Sequence, residues 1–180
     1  MKKILSAILA LCMIVSITAC SSENESSVKG SENRVMRDIT TQELIEDMGI
    51  GINLGNTFES CGNWINKSSV TNYETAWGSP VITEQMIKGY KDCGFGVMRL
   101  PVAWSNMMDK ETYTISPDYV ARVKEVLNWA LDSDLYVILN IHYDNGWFSD
   151  FADDKKRDEC FKKYEAIWKP VSYTHLRAHE

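Results

Sequence analysis

Short, mainly apolar runs alternate along the chain with segments in which apolar residues recur at helical spacing. Three runs of strand length, centred on Ile52, Val97 and Ile138, consist mainly of apolar residues. The third run, residues 135–142, is nearly unbroken, as expected of a strand that is buried on both faces. After each run, apolar residues recur every three or four positions, which predicts amphipathic helices. This order predicts parallel strands joined by right-handed crossovers.

Start and stop signals frame the predicted helices. Residues 40–43, Thr-Thr-Gln-Glu, have the spacing of a capping box and predict a short helix before the first strand. A second helix is predicted around residues 86–93. A third begins with Ser116 as N-cap and a proline in its first turn. A last helix is predicted over residues 155–168, and Pro170 ends it.

Large aromatic residues follow the C-terminal ends of all three predicted strands. The tryptophans among them are Trp64, Trp77, Trp104 and Trp147. The strand–helix order fits either a closed barrel or an open doubly wound sheet, and in a barrel the functional loops lie at this end. No glycine-rich dinucleotide turn or phosphate loop follows any of these strands, which disfavours nucleotide binding.

The N-terminal part of the chain has the composition of a targeting segment. Two lysines precede an apolar run, and small residues and Cys20 follow, as in a secretory signal peptide. The end of this run resembles a bacterial lipobox, so we expect residues 1–20 to be a lipoprotein signal with the lipid on Cys20. A simple secretion signal is the alternative. Residues 21–37 predict a flexible linker, and residues 38–170 a domain that acyl chains hold at the bacterial cell surface.

Charge and cysteine content disfavour several classes of function. The formal net charge of −6 disfavours nucleic acid and anionic lipid headgroups, because both need a basic patch, whereas a neutral polysaccharide is compatible. Cys61, Cys93 and Cys160 have neither zinc-site spacing nor the pattern of a disulfide framework. Buried free thiols are expected, and a single bridge is the alternative. We expect no cofactor and no metal, and nothing implies a protein partner.

Two polar residues interrupt apolar strands near their C-terminal ends. Arg99 lies in the second run, where a guanidinium needs a carboxylate or a ligand as partner. The alternative is a structural salt bridge. His142 ends the third run on the same side of the strand as Ile138 and Asn140. A lone histidine is often a core residue, but the polar residues that follow His142 favour a site.

The aromatic residues after the strands suit a carbohydrate ligand. A sugar ring presents an apolar face of C–H groups, on which tryptophan stacks, and a rim of hydroxyls that Asn, His and Arg can hydrogen-bond. For any single tryptophan, packing under a loop is the alternative. Four tryptophans at one end of a barrel favour a saccharide cleft.

Four stretches of the sequence resemble glycoside hydrolase family 5, the family of endoglucanases (cellulases) and related β-mannanases. They are residues 51–57 (GINLGNT), 74–78 (ETAWG), 98–104 (MRLPVAW) and 139–144 (LNIHYD). They occur in the order and at the spacing of the family, and the resemblance extends from about Asp38 to about Trp168. It implies an α/β fold, namely the first three βα units of a (β/α)₈ barrel, and retaining endo-hydrolysis of β-1,4-glucans.

The resemblance also implies roles for particular residues. Arg99 matches the arginine that orients the nucleophilic glutamate, and His142 matches a histidine that lines the −1 subsite. Many relatives have a second histidine where this chain has Tyr143, so hydrogen bonding in that subsite is expected to differ. The residues expected to bind substrate are Asn56, Trp77, Trp104, Tyr143 and Trp147.

The two catalytic carboxylates that the resemblance implies have no counterpart in this sequence. Retaining glycosidases need two carboxyl groups about 5 Å apart. The family carries the first in an Asn-Glu-Pro motif after strand four, and the sequence contains no such motif. We therefore expect a fragment that ends before both glutamates and is inactive by itself. Residues 171–180 show no likeness to the family and are expected to be a non-native tail.

Two other functions stay open at this point. A surface glycan-binding lipoprotein on the same barrel is the alternative to an enzyme, and a non-enzymatic interaction domain is the third. A cellulose-like β-1,4-glucan is the expected substrate, with mannan and xyloglucan as alternatives.

Overall fold

A three-stranded parallel sheet forms the centre of the protein. The computed structural model describes residues 37–176. Strands β1 (Gly51–Asn53), β2 (Val97–Val102) and β3 (Tyr136–Ile141) lie side by side in chain order. Each strand overlaps one of the predicted apolar runs. The predicted α/β fold with parallel strands is confirmed.

The helices alternate with the strands, as predicted. In chain order they are α1 (Thr41–Met48), α2 (Val70–Glu74), α3 (Glu84–Asp92), α4 (Pro117–Asp132) and α5 (Arg157–Leu176). Two 3₁₀ segments, Trp104–Met107 and Asp144–Ala152, begin just beyond the C-terminal ends of β2 and β3. The helices between the strands are the crossover connections that parallel neighbours require, because each strand must start at the same edge of the sheet as the one before it.

The predicted side-chain cap is present at the N-terminus of α1 and absent at the N-terminus of α4. The Thr40 side chain accepts a hydrogen bond from the Glu43 N–H, and the Glu43 carboxylate accepts one from the Thr40 N–H at 2.7 Å. This is the predicted capping box. Ser116 stands at the predicted N-cap of α4, but its side chain makes no capping hydrogen bond. The proline that follows it lacks an N–H, so this terminus has one orphan donor fewer to satisfy.

The alternation of side chains along the strands divides the sheet into two faces. On one face Met98, Leu100 and Val102 of β2 are fully buried under the helices. On the other face Arg99 is half-buried, and Ile138 of β3 is 47% exposed. Residues i and i+2 of a strand share a face, so the polar residues of β2 and β3 are directed away from the helical core.

Helix α5 continues through Pro170, contrary to the prediction that this proline ends it. A proline inside a helix costs about 3 kcal/mol, because it lacks an N–H and its ring meets a carbonyl of the preceding turn. Ile167 and Val171 lie four positions apart and are 0% and 2% exposed. Burial of two such side chains, worth about 1.5–3 kcal/mol each, offsets that cost.

The cysteine prediction is right for two of three residues. Cys61 and Cys160 are buried free thiols. Cys93 is also a free thiol, but it is exposed, since it caps the solvent-facing C-terminus of α3.

The predicted signal peptide with Cys20, and nearly all of the predicted linker, lie outside the described residues. Within residues 37–176, no helix combines the length and the apolar character needed to cross a membrane.

Candidate functional site

The site is built on the exposed face of the sheet, around Arg99 of β2. The parallel register places Arg99 beside Asn53 of β1 and Ile138 of β3. Its Nη1 donates to Oδ1 of Asn53 at 2.6 Å, and its Nη2 lies 2.8 Å from Nδ1 of His142. The structure therefore brings together Arg99 and His142, the two polar strand residues that the sequence singled out.

The contact with Arg99 determines the tautomer of His142. A guanidinium can only donate hydrogen bonds, so Nδ1 of His142 must be the acceptor. The proton of the neutral ring then lies on Nε2, which can donate to a ligand. Asn53 completes this cluster and was missed in the sequence. Its signal was that it is the polar residue of the first apolar run, residues 50–54.

Arg99 has no acidic partner among residues 37–176. Its two contacts, an amide oxygen and an imidazole nitrogen, are both neutral, and none of the ion pairs in this range includes it. Within these residues the structure shows no salt bridge of Arg99. A guanidinium keeps its charge, so this half-buried group favours an anionic partner. The same residues offer no group of three metal-ligating side chains.

The chain leaves β3 through a strained turn. Tyr143 has φ 44° and ψ −57°, and the Asp144 N–H donates to the carbonyl of His142, which makes a γ-turn. Asp144, Asn145 and Gly146 follow with φ of 50°, 62° and 76°. Three successive non-glycine residues with positive φ are costly, because Cβ crowds the backbone there. The turn presents the side chain of Tyr143, which is 64% exposed.

The carboxylate of Asp144 is fully buried beneath this turn. Its Oδ1 accepts from the backbone N–H of Ser105 at 2.9 Å. Its Oδ2 accepts from the Ser105 hydroxyl and from the Trp147 indole, each at 2.8 Å. Burial raises the pKa of Asp144, and the hydrogen bonds from Trp147 and Ser105 oppose that rise. In the sequence Asp144 is only the last residue of the stretch 139–144, and the pattern around it does not show that it is buried.

A second buried carboxylate holds the loop after β1. Glu59 is 5% exposed and accepts from the N–H of Asn56 at 2.7 Å and from that of the next residue at 3.0 Å. Asn56 has φ 58° and an exposed side chain. Trp77, which follows α2 in the connection from β1 to β2, is 41% exposed. Both predicted substrate-binding residues are therefore open to solvent.

Trp104 lies in the core and not in the site. It is 1% exposed and packs edge-on against Tyr119, with ring centroids 6.1 Å apart. Two positions beyond Val102, it keeps the strand parity that points toward the helices. A buried indole cannot stack on a sugar, so the assignment of Trp104 to substrate binding is corrected to core packing.

Trp147 lies beside the strained turn, and its ring is partly covered. Phe148 stacks on it with centroids 4.1 Å apart, and the ammonium of Lys163 lies 4.5 Å from the ring centroid. Both groups lie over the indole, and the residue is half-buried. Trp147 therefore packs against its neighbours beside the turn, and its predicted contact with substrate stays a prediction.

A cavity of about 510 Å³ lies between the loops that follow the three strands. Its lining includes Asn63 after β1, Ser105 after β2 and Asn145 after β3. Neither Arg99 nor His142 lines it. The cavity is thus separate from the Arg99 cluster, which we take as the site because the polar strand residues meet there.

Comparison with known proteins agrees with this arrangement. A family model described as Cellulase (glycosyl hydrolase family 5) matches residues 58–174. A xyloglucan-specific endo-beta-1,4-glucanase of Bacteroides ovatus is 38% identical over 144 residues, which are 78% of this chain and 28% of that protein. Endoglucanase A of Ruminococcus albus is 38% identical over 138 residues, which are 76% of this chain and 36% of the relative.

A solved structure shows the same fold. A broad-specificity endoglucanase from Ruminococcus champanellensis, with bound cellotriose, aligns with a TM-score of 0.70 and 35% identity over 77% of this chain and 40% of that one. The chain thus spans between 28% and 40% of these three proteins. Their family implies a (β/α)₈ barrel. With a family match over more than half of its residues, the chain belongs to glycoside hydrolase family 5, the cellulase family.

Proposed function

We propose that residues 38–170 form the first three βα units of the catalytic barrel of a retaining endo-acting β-1,4-glucan hydrolase. The observation that carries the proposal is the contact between Arg99 and His142 on the exposed sheet face of a family 5 chain. A complete barrel has about 250 residues, so the remaining units are proposed to lie on further sequence of the same protein.

The proposed reaction needs two carboxyl groups about 5 Å apart. One attacks the anomeric carbon, and the other protonates the leaving oxygen and then activates the water that frees the sugar. We place both on the later strands of the barrel. Arg99 provides a permanent charge whose contacts within residues 37–176 are neutral, so it is suited to orient the nucleophile and keep it ionised. His142 provides its Nε2–H as a donor to a sugar hydroxyl.

Three of the predicted substrate-binding residues keep that role in the proposal. Asn56, Trp77 and Tyr143 have side chains open to solvent and follow the C-terminal ends of β1 and β3. An aromatic ring such as Trp77 suits the C–H face of a sugar, and the amide of Asn56 suits its hydroxyl rim.

The relatives support a β-1,4-glucan as the substrate class. The Bacteroides ovatus protein is described as specific for xyloglucan, and the Ruminococcus champanellensis structure contains cellotriose. We therefore propose a cellulose-like backbone first and xyloglucan second. Mannan is third, since none of the three relatives is described as acting on it.

Hydrolysis of carboxymethylcellulose tests the proposal. The 180-residue chain is expected to release no reducing sugar. The longer product of the same gene is expected to be active and to contain both glutamates. Arg99→Ala in that product should lower kcat/KM about 100-fold or more, because it removes a charge that stabilises the transition state. Arg157→Ala is the matched control, since Arg157 is exposed and pairs with the exposed Asp154.

Two outcomes would contradict the proposal. Unchanged hydrolysis by Arg99→Ala would remove the proposed role of this charge. An intact longer product that lacks the two glutamates, yet is retarded in gels containing glucan, would favour a surface glycan-binding lipoprotein.

We also propose that Cys20 carries a lipid that holds the protein at the cell surface. The support is the charged start, the apolar run and the small residues before Cys20. Labelling with radioactive palmitate tests it: the label should be lost in Cys20→Ala and kept in Cys93→Ser. Equal labelling of Cys20→Ala and the wild type would contradict the proposal.

A further inference from the structure

The strained turn after His142 needs a physical explanation. Tyr143, Asp144 and Asn145 each have positive φ, and such residues cost of the order of 1–3 kcal/mol each. A turn of this kind persists only where its surroundings hold it. The γ-turn contact ties the N–H of Asp144 to the carbonyl of His142. The contacts that hold Asp144 therefore also fix the position of the His142 backbone, and with it the position of the His142 ring.

We propose that Asp144 is a positioning residue that fixes His142 and Tyr143 in the candidate site. A role of Asp144 in catalysis depends on the proposed function. Its role in positioning His142 is argued from the contacts of Asp144 and from the turn alone. Asp144 acts through its neighbours, and its buried carboxylate is not exposed to substrate.

The Asp144 carboxylate joins two loops of the site. It accepts two hydrogen bonds from Ser105, which follows β2, and one from Trp147, which follows β3. Before the turn, the His142 N–H donates to Val102 of β2 at 3.0 Å. The segment around His142 is thus attached to β2 and its loop on both sides, through the backbone before it and through Asp144 after it.

The third donor is itself held in place. The indole of Trp147 stacks with Phe148 and lies against the ammonium of Lys163, which belongs to α5. Its N–H therefore cannot turn away from Asp144 without breaking these contacts. The clamp, defined as Asp144 with Ser105 and Trp147, connects the β2 loop, the β3 loop and α5.

The donors require a carboxylate, and an amide of the same size cannot replace it. The N–H of Ser105 reaches one oxygen and the N–H of Trp147 reaches the other. In Asp144→Asn one of these oxygens becomes an NH₂ group, which cannot accept. Either amide orientation leaves one buried N–H facing a donor. The turn should then relax, and the contact between His142 and Arg99 should loosen.

The ¹⁵N NMR signals of the His142 ring test the inference without any glycan. In the wild type, Nδ1 should appear unprotonated and Nε2 protonated, because Arg99 donates to Nδ1. In Asp144→Asn both signals should move toward values averaged over the two tautomers, while the far-ultraviolet circular dichroism stays that of the folded wild type. His142→Ala assigns the signals.

A matched variant and a milder one keep the test decisive. Asp150→Asn removes a half-exposed carboxylate of the same 3₁₀ segment, which pairs with Lys156, and should leave the His142 signals unchanged. Ser105→Ala removes one of the three hydrogen bonds and should give a smaller shift in the same direction. It decides the question if Asp144→Asn does not fold.

A glycan readout separates this inference from the proposed function. In gels containing xyloglucan, Asp144→Asn should bind about ten-fold more weakly than the wild type, which corresponds to about 1.4 kcal/mol. If wild type binds no glycan, the proposed function loses support, and the tautomer comparison still decides the role of Asp144. Unchanged His142 signals in a folded Asp144→Asn, or equal shifts in Asp150→Asn, would overturn the inference.

Discussion

The ion pair between Glu74 of α2 and Arg122 of α4 should make the largest electrostatic contribution to the stability of the connection between β1 and β2. Glu74 is 1% exposed, and Arg122 of α4 is 17% exposed. The two join bidentately, with Nε to Oε1 at 2.8 Å and Nη2 to Oε2 at 3.0 Å. The same carboxylate accepts from the Ile82 N–H at 3.1 Å. Arg122→Met should therefore leave a buried, uncompensated carboxylate.

The magnitude follows from this burial. Removing one partner of a buried ion pair costs about 3–5 kcal/mol. We expect the lower end, about 3 kcal/mol, because water can reach Arg122 in part. The matched control is Glu125→Gln, which breaks the contact of the same Arg122 with a half-exposed carboxylate. Exposed pairs contribute between about 0 and 1 kcal/mol, so that control should change little.

Equilibrium unfolding in urea, followed by tryptophan fluorescence, measures both variants. With an m value of about 1–3 kcal/mol per molar for small proteins, a loss of 3 kcal/mol lowers the midpoint by about 1–3 M. Arg122→Met combined with Glu74→Gln should regain part of this loss, because Gln keeps an acceptor for the Ile82 N–H and carries no charge. Equal midpoints for Arg122→Met and Glu125→Gln would refute the reasoning.

Three further predictions concern single groups, and each is measured by urea unfolding. Tyr119→Phe should cost about 1–3 kcal/mol, because the buried hydroxyl donates to the Phe58 carbonyl at 2.8 Å. Thr40→Ala should cost about 1 kcal/mol through loss of the cap of α1, and an unchanged midpoint would contradict this. Burial raises the pKa of Asp144 above its ordinary 3.8, so the folded chain holds that proton more tightly than the unfolded chain. The stability of wild type relative to Asp144→Asn should therefore fall as pH rises above about 3.8, and a rising difference would contradict it.

The strands and the Arg99 cluster could be predicted because both depend on short-range periodicity. A period of two places Arg99 on the face opposite Met98 and Leu100, whatever the rest of the chain does. Parallel register then brings the C-terminal ends of neighbouring strands to one edge of the sheet, which is why Arg99 and His142 meet. The same parity would have found Asn53, had the first run been treated as a strand with two faces.

Burial set by distant segments could not be predicted in the same way. Trp104 packs against Tyr119, and Trp147 packs against Lys163 besides its neighbour Phe148. Tyr119 and Lys163 are distant in sequence from the tryptophans they contact, so local sequence does not indicate these contacts. Pro170 was predicted to end a helix from its backbone chemistry alone. The burial of Val171 on the far side of that proline depends on the assembled core.

Membership in a family therefore does not give every motif residue the same task. The stretch 98–104 contains both Arg99, on the exposed face, and Trp104, inside the core. The stretch 139–144 likewise contains His142, which contacts Arg99, and Asp144, which lies buried beneath the turn. Residues on the exposed face can touch a ligand, whereas the buried ones hold the backbone that presents them. Functional roles should thus be transferred according to the face that a side chain occupies, and the prediction failed at Trp104 because position after a strand was used without its parity.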